Sequence, residues 1–422
     1  MVEFKSIKYF NKRYCYIYIF FIALAVRILT IILIRHEFWE YEEIAANLLN
    51  GRGFAYFHLG TVYRSYCEPF YPFFCSVIYF LTKHNVFALE LMQAIFSSAI
   101  AIVIYFCAKN TYGQKVACLA SILVALHPGL IIYTIKLHPL TFDALFISLV
   151  LLVMMKLLNH FNWYNIIISG LSVGLCIISR PTILLFLPLA LFYIFKIRKI
   201  NFLKSLVYGG VLFLFAGIIF LPWSLRNYFI HKQFMLTRSN TPFVFWLGNN
   251  PNFSGSALDI KGEPVFALAP TAFKEKIYGL NEVAQNKEFL TVAVKYIHEH
   301  PLRFIGRTIK KFYYFWWFSP QAGLLYHKIW FILYKILYIF IVTAGLIGIY
   351  FTYQEGLFRA KADIALILLM LLTISFTQSL FYIEGRHRWA LEPIFLIFTA
   401  KGLQMFFAKY MPGIPRLYKK GD

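Results

Sequence analysis

Long apolar runs, separated by short basic or acidic stretches, set the pattern of this chain. Such runs occupy residues 15–34, 88–107, 116–135, 142–158, 164–179, 182–195, 205–222, 329–352, 363–382 and 389–408. Most approach or reach the roughly 20 residues that a helix needs to cross a hydrocarbon core. Apolar residues are continuous within them rather than alternating, which excludes a transmembrane β-barrel. The expected fold is therefore all-α, a polytopic integral membrane protein of about ten transmembrane helices, read as a single membrane domain over 1–422.

One apolar stretch, residues 69–82 (PFYPFFCSVIYFLT), is short, and charge decides its placement. If it crossed, the basic loop with Lys196, Arg198, Lys199 and Lys204 would face outside, together with the basic tail of Lys409, Arg416, Lys419 and Lys420. The positive-inside rule opposes that. The stretch is expected to be a re-entrant or juxtamembrane helix within a first outer loop, 36–87. In the same loop Ile44, Ala45, Leu48 and Leu49 recur at helical spacing between Glu42, Glu43, Asn47 and Asn50. That pattern predicts a short amphipathic helix on the membrane surface, ended by Gly51 and Gly53. A second, long outer loop is expected over 223–328, with a helical stretch near 280–300 and an aromatic ending (RTIKKFYYFWWFSP) suited to the headgroup boundary.

Composition reinforces this picture. The chain is 60% hydrophobic and only 14% charged, well beyond the apolar share of a soluble domain. The net charge of +22 is spread over short loops, which argues for topology rather than nucleic-acid binding. Of the six cysteines, all but Cys67 lie in or beside apolar runs, with no disulfide framework or metal spacing. Arg27, inside the first span, reads as a snorkelling or internally paired charge.

The predicted topology gathers unusual polar residues on one face. Five of only 19 acids fall between Glu37 and Glu68. Glu37, Glu40, Arg64, Glu68, His138, Asp143, Arg180, Arg226, Arg386, His387 and Arg388 all reach the outer side. Each has a plain structural reading. Asp143 opens a helix whose dipole favours an acid there. Glu42 and Glu43 suit a wet helix face, and Arg386 and Arg388 suit interfacial anchors. Together they point to chemistry. Arginine grips phosphate bidentately and stabilises it as a leaving group, and a carboxylate takes a proton from an attacking hydroxyl. Arg64 and Arg180 join Arg386 and Arg388 as candidate phosphate contacts, and His138 as a candidate pocket residue. No Gly-rich phosphate cradle for a nucleotide sugar is present.

Several segments, in order, carry a resemblance: an acid shortly before YEEIAANLLNGRGF, then EPFYP, HPLTFD, GLSVGLCIISRPT, PWSLRNY followed by GNNP, and RHRWALEPIF. The set resembles the GT-C superfamily of polyprenyl-phosphate-dependent glycosyltransferases, in its protein O-mannosyltransferase-like branch, which includes the lipid A aminoarabinose transferases. The resemblance covers most of the chain and implies a bacterial inner membrane. It implies a first-loop catalytic acid at Glu40 or Glu37, a second acid at Asp143, and an acid at Glu68 before the segment that holds Tyr71. It puts Arg386 and Arg388 on the donor phosphate, and Asn249 and Asn250 in a recurring outer-loop element. A Lys often found beside Glu68 in relatives is missing. The implied donor is a polyprenyl-phosphate sugar; sugar and acceptor are unread. Some relatives use a divalent metal, which would lie beside Glu40 and Asp143, although no ligand spacing marks a site. The competing classes are a lipid-linked sugar flippase, which calls for midplane charges on paired repeats, and a polysaccharide polymerase or ligase of unrelated fold.

Overall fold

The computed structural model describes residues 14–251, 255–324 and 326–410; the basic N-terminal segment and most of the basic tail lie outside them. The chain opens with the helix α1 (Cys15–Leu33), then α2 (Glu40–Leu49), a hairpin of β1 (Tyr56–His58) and β2 (Thr61–Tyr63), and α3 (Phe70–Thr82). There follow α4 (Val86–Tyr112), α5 (Gln114–Ala125), α6 (Pro128–Ile132), α7 (Leu140–Asn159), α8 (Trp163–Ser179), a 3-10 turn (Pro181–Leu185) and α9 (Phe186–Ile197). Next come α10 (Phe202–His231), α11 (Thr241–Gly248), α12 (Thr271–Tyr278), α13 (Glu282–Glu299) and α14 (Pro301–Trp316). The chain closes with α15 (Lys328–Gln354), α16 (Leu357–Ala360), α17 (Ala362–Ser379), α18 (Gly385–Trp389) and α19 (Glu392–Tyr410).

Each expected span falls on a helix or a helical run. Six of them, α1, α4, α7, α10, α15 and α17, are long and apolar enough among the described residues to cross a membrane. The expected span 116–135 is broken into α5 and α6. His127 precedes Pro128, takes an extended ψ of 117°, and caps α6 by accepting the Leu130 N–H. A residue before proline is pushed out of the helical region, and proline has no N–H to continue the ladder. Conversely α10 runs through Pro222 to His231, so the long loop begins inside a helix. Thirteen residues give α3 a rise of about 20 Å, short of a hydrocarbon core of about 30 Å.

Asparagine starts many of these helices. Asn85, Asn162, Asn201 and Asn281 each accept the backbone N–H three residues on, at the heads of α4, α8, α10 and α13. This satisfies donors that a helix start leaves orphaned. Small residues then let helices approach. A Cβ on Gly348 of α15 would sit 1.9 Å from the Phe398 carbonyl of α19, and one on Gly170 of α8 2.5 Å from the Leu212 carbonyl of α10. In an apolar medium such contact, rather than water release, drives helix association.

α7 is the axis of the bundle, buried along most of its length against α4, α8, α9 and α17. Its first turn, carrying Asp143, meets the end of α8, the start of the 3-10 turn and the end of α17. Lys109 and Lys115 flank the α4–α5 connection, Lys156 sits in the last turn of α7, and Lys196 and Arg198 close α9. Arg27 is fully buried and, among the described residues, has no carboxylate partner; it is held by Ser97 Oγ at 2.7 Å and the carbonyls of Ala23 and Ala125. Cys15 and Cys118 are joined as a disulfide where α1 lies along α5, a pairing that a separation of 103 residues hides from spacing arguments.

Candidate active site

Two connections pin the site together. The Glu37 N–H donates to the Ile135 carbonyl at 3.0 Å, and the Leu137 N–H donates to the Glu37 carbonyl at 3.0 Å. This short bridge ties the α1–α2 connection to the α6–α7 connection, so the first turn of α2 is held beside His138 and the head of α7. A pocket opens there, walled on its other sides by residues 238–247 and the α17–α18 turn.

Three guanidiniums line the pocket, each against a carboxylate. Arg180 Nη1 donates to Asp143 Oδ2 at 2.9 Å, and Arg180 Nη2 donates to Gln378 Oε1 at 3.1 Å. The Ser179 hydroxyl donates to Asp143 Oδ1 at 2.8 Å. Arg238 Nε lies 3.1 Å from Glu68 Oε1, and Arg386 Nη2 lies 2.8 Å from Glu384 Oε2. The Arg386 guanidinium also lies over the Trp39 ring, 4.8 Å from its centroid, a cation–π placement that fixes its plane.

Glu40 differs from these acids. It lines the pocket from the first turn of α2 and has no ion-pair partner among the described residues. Burial raises its carboxyl above the usual range; Arg386 pulls it down and Glu68 pushes it up further. A carboxylate raised in this way is a stronger base than a solvated one. Three buried polar atoms of the pocket also have no protein partner among the described residues: Arg180 Nε, Thr182 Oγ1 and Asn240 Oδ1. Buried polar groups are rarely left so, and a cluster of them marks a place for a polar ligand or water.

Of the residues named from the sequence, the pocket brings together Glu40, Glu68, His138, Asp143, Arg180, Arg386 and His387. The others lie elsewhere. Glu37 is exposed and paired with Lys136 Nζ at 2.8 Å. Arg64 is exposed, its Nη1 donating to the Arg52 carbonyl at 2.8 Å. Tyr71 is buried, its hydroxyl donating to Gln93 at 2.7 Å. Asn249 and Asn250 are buried in the loop scaffold: the Asn249 amide donates to the Leu380 carbonyl at 2.7 Å, and the Asn250 amide to the Trp246 carbonyl at 2.8 Å. Arg388 is fully buried away from the pocket, its Nε 2.5 Å from Glu392 Oε1. Sequence reasoning missed Arg238, Asn240, Gln378 and Tyr382, whose only local signal was a position beside a predicted span end or within the long loop.

The chemistry of this donor set is acid–base and phosphate-binding in character. Among the described residues no three of His, Cys, Asp and Glu converge as metal ligands, and Asp143 is committed to Arg180 and Ser179.

Comparison with known proteins agrees with the fold. The family model of dolichyl-phosphate-mannose-protein mannosyltransferases matches residues 68–224, the segment that runs from Glu68 through Asp143 and Arg180. A search of curated proteins finds no match. The structure is similar to the Archaeoglobus fulgidus oligosaccharyltransferase AglB, solved with an inhibitory peptide and a dolichol-phosphate: TM-score 0.57, 14% identity, 98% of this chain and 52% of that one. The same archaeal enzyme with zinc and sulfate gives 0.58 at 14% identity, over 95% of this chain and 50% of that one. Cupriavidus metallidurans ArnT bound to undecaprenyl phosphate gives a TM-score of only 0.42 at 13% identity, over 96% of this chain and 80% of that one. The chain thus spans about half the length of the archaeal enzyme. The family match covers less than half of the chain, and at 14% identity the likeness to the archaeal enzyme is one of fold.

Proposed function

We propose that this protein transfers a sugar from a polyprenyl-phosphate carrier to a hydroxyl acceptor at the extracytoplasmic face of a bacterial inner membrane, with inversion. One observation carries the reading: a single pocket joins a raised carboxylate without an ion-pair partner, Glu40, to the guanidiniums of Arg180, Arg238 and Arg386. The sidedness follows from charge. Lys156 lies at the end of α7 away from Asp143, and Lys196 and Arg198 at the far end of the helical run that starts at Pro181, and positive ends stay inside.

In this mechanism the phosphate rests against Arg386 and Arg180. Glu40 takes the acceptor proton as the acceptor oxygen attacks the anomeric carbon from the face opposite the phosphate. The carbon–oxygen bond to phosphate breaks, and polyprenyl phosphate leaves carrying the electron pair. Single displacement inverts the centre, as in inverting glycoside hydrolysis. The guanidiniums stabilise the charge that grows on the leaving oxygen, so no general acid is needed. Glu68 and Asp143 orient Arg238 and Arg180 by their ion pairs. Glu37, the alternative base, faces away with Lys136.

The test is transfer from a panel of radiolabelled polyprenyl-phosphate sugars by the purified protein in bilayers, beside the Glu37→Ala/Glu40→Ala double variant. Label leaving the lipid with wild type alone is the expected result. Equal release by the double variant sinks the mechanism. No release from any donor by wild type, with lipid-linked sugar instead scrambled between leaflets, replaces the reading with a transporter.

A further inference from the structure

Two histidines line the pocket and are held alike. The Leu140 N–H donates to His138 Nδ1 at 3.1 Å. The Glu384 N–H donates to His387 Nδ1 at 3.2 Å. An Nδ1 that accepts a backbone N–H carries no proton, so a neutral imidazole must hold its proton on Nε2. Neither Nε2 has a protein partner among the described residues, and neither is a sealed orphan: the pocket is what they face. His138 is fixed edge-on among the rings of Trp39, Tyr41 and Tyr133, at centroid separations of 5.0, 5.5 and 5.2 Å. His387 is fixed by its bond to the Glu384 backbone and by the Tyr382 ring at 5.1 Å.

Both rings stay neutral. Burial holds each well below the ordinary histidine range; Arg386, Arg180 and Lys136 add to this at His138, and Arg386, Arg180, His138 and Arg238 at His387. The acids nearest these arginines are already paired with them. The pocket therefore offers two N–H donors of fixed direction that add no charge.

We propose that the Nε2–H groups of His138 and His387 donate hydrogen bonds to the phosphate oxygens held by Arg386 and Arg180, completing an anion site whose guanidiniums are each half-occupied by a carboxylate. Guanidiniums supply charge, and the imidazoles supply directed donors that a phosphate accepts and a bare carboxylate pair does not require. This rests on the lipid-phosphate reading above and deepens it by naming two groups that no family likeness assigned to the phosphate.

The test is direct binding of a synthetic polyprenyl phosphate in detergent micelles, with inorganic phosphate as a competing probe. Wild type is compared with His138→Asn, His138→Gln and the same pair at His387, each checked for folding by thermal unfolding. Glutamine places an amide N–H near the lost Nε2–H, whereas asparagine reaches only the Nδ1 position. A hydrogen bond to a charged acceptor is worth about 1.5–3 kcal/mol, so each Asn variant should bind about tenfold or more weakly, with the Gln variant recovering most of that. Histidine nitrogen chemical shifts in selectively labelled protein should show the Nε2–H tautomer, neutral at pH 6. Wild type that binds, with Asn variants that bind as tightly, overturns the inference alone. Wild type that fails to bind the lipid phosphate overturns the functional reading with it. Displacement by inorganic phosphate at equal strength shows a site for free anion rather than for the lipid.

Discussion

The four residues Arg386–His387–Arg388–Trp389 feed two regions made from the same chemistry. Arg386 and His387 open into the pocket. Arg388 and Trp389 turn the other way, into a sealed cluster. There Arg388 Nε and the Tyr334 hydroxyl meet Glu392 Oε1 at 2.5 and 2.9 Å, His127 Nε2 meets Glu392 Oε2, and Trp389 Nε1 donates to Tyr334 at 2.5 Å. The Arg388 guanidinium also lies 3.8 Å from the Tyr338 ring centroid. In this cluster the Glu392 carboxylate oxygens are both met by protein donors, so nothing is left for a substrate. In the pocket the pairings are incomplete, with orphaned atoms on Arg180, Thr182 and Asn240. One region closes its charges on themselves, and the other leaves polar atoms of its ion-paired residues open to the pocket.

The largest expected effect tests the pocket. Glu40→Gln keeps the shape and removes the base; general-base loss typically costs about 10²–10⁴-fold in rate, read as initial transfer velocity. Its stability should move the other way. A folded carboxyl raised above its unfolded value binds its proton more tightly in the fold, so the fold loses stability as pH rises through that raised value. The variant escapes this loss, and its thermal midpoint at neutral pH should equal or exceed that of wild type. A lower midpoint would show that Glu40 belongs with Glu392 as a structural acid.

The sealed cluster should answer oppositely. Arg388→Met leaves Glu392 buried without its main counter-charge, and breaking a buried pair costs about 3–5 kcal/mol. Unfolding in detergent should move to markedly lower temperature. Adding Glu392→Met should recover much of the loss, because burying two apolar groups avoids the desolvation that the ion pair carries. If the double variant stays as unstable as the single, the cluster is doing more than satisfying its own charges.

A smaller effect follows from pH. Glu40 must be ionised to accept a proton, so wild-type rate should fall as pH drops through its raised value and level off above it. His138 and His387 are held neutral well below the ordinary histidine range, so no second limb should appear between about pH 6 and 8. A rate–pH profile of wild type and Glu40→Gln reads both; a limb that survives in the variant belongs to another group.

Much of the fold was legible because its determinants are local. Apolar runs, asparagine caps and basic loop ends lie in the sequence as they lie in the structure. The site was half legible. Acids after the first span, Asp143 at a helix head and Arg180 after an apolar run stand out in so apolar a chain. What stayed hidden depends on direction. Arg386 and Arg388 are two residues apart on a single helical turn, and only its orientation sends one to the pocket and the other to Glu392. Arg238 reaches the site from a loop whose path no pattern fixes. Asn249 and Asn250 belong to the scaffold because their amides close backbone carbonyls, a role that composition does not distinguish from ligand binding.

The choice between Glu37 and Glu40 is the smallest effect and the sharpest use of the comparison. Glu37 precedes α2 and Glu40 opens it, and their spacing alone leaves either as the base. The backbone bridge between Glu37 and residues 135–137 decides their directions. It presents the Glu37 side chain, about half exposed, to Lys136 at 2.8 Å, and leaves Glu40 one helical turn further on at the pocket wall. An exposed pair of this kind is worth about 0–1 kcal/mol. Glu37→Gln should therefore change transfer velocity by no more than about twofold and leave unfolding almost unmoved, since the bridge it sits in is made by backbone atoms that glutamine retains. A loss as deep as that of Glu40→Gln would mean that the α1–α2 connection rearranges when donor binds, bringing Glu37 inward and breaking its pair with Lys136. Lys136→Ala then discriminates: it frees Glu37 without touching the pocket, and should raise velocity if Glu37 is the working base and leave it unchanged if Glu40 is.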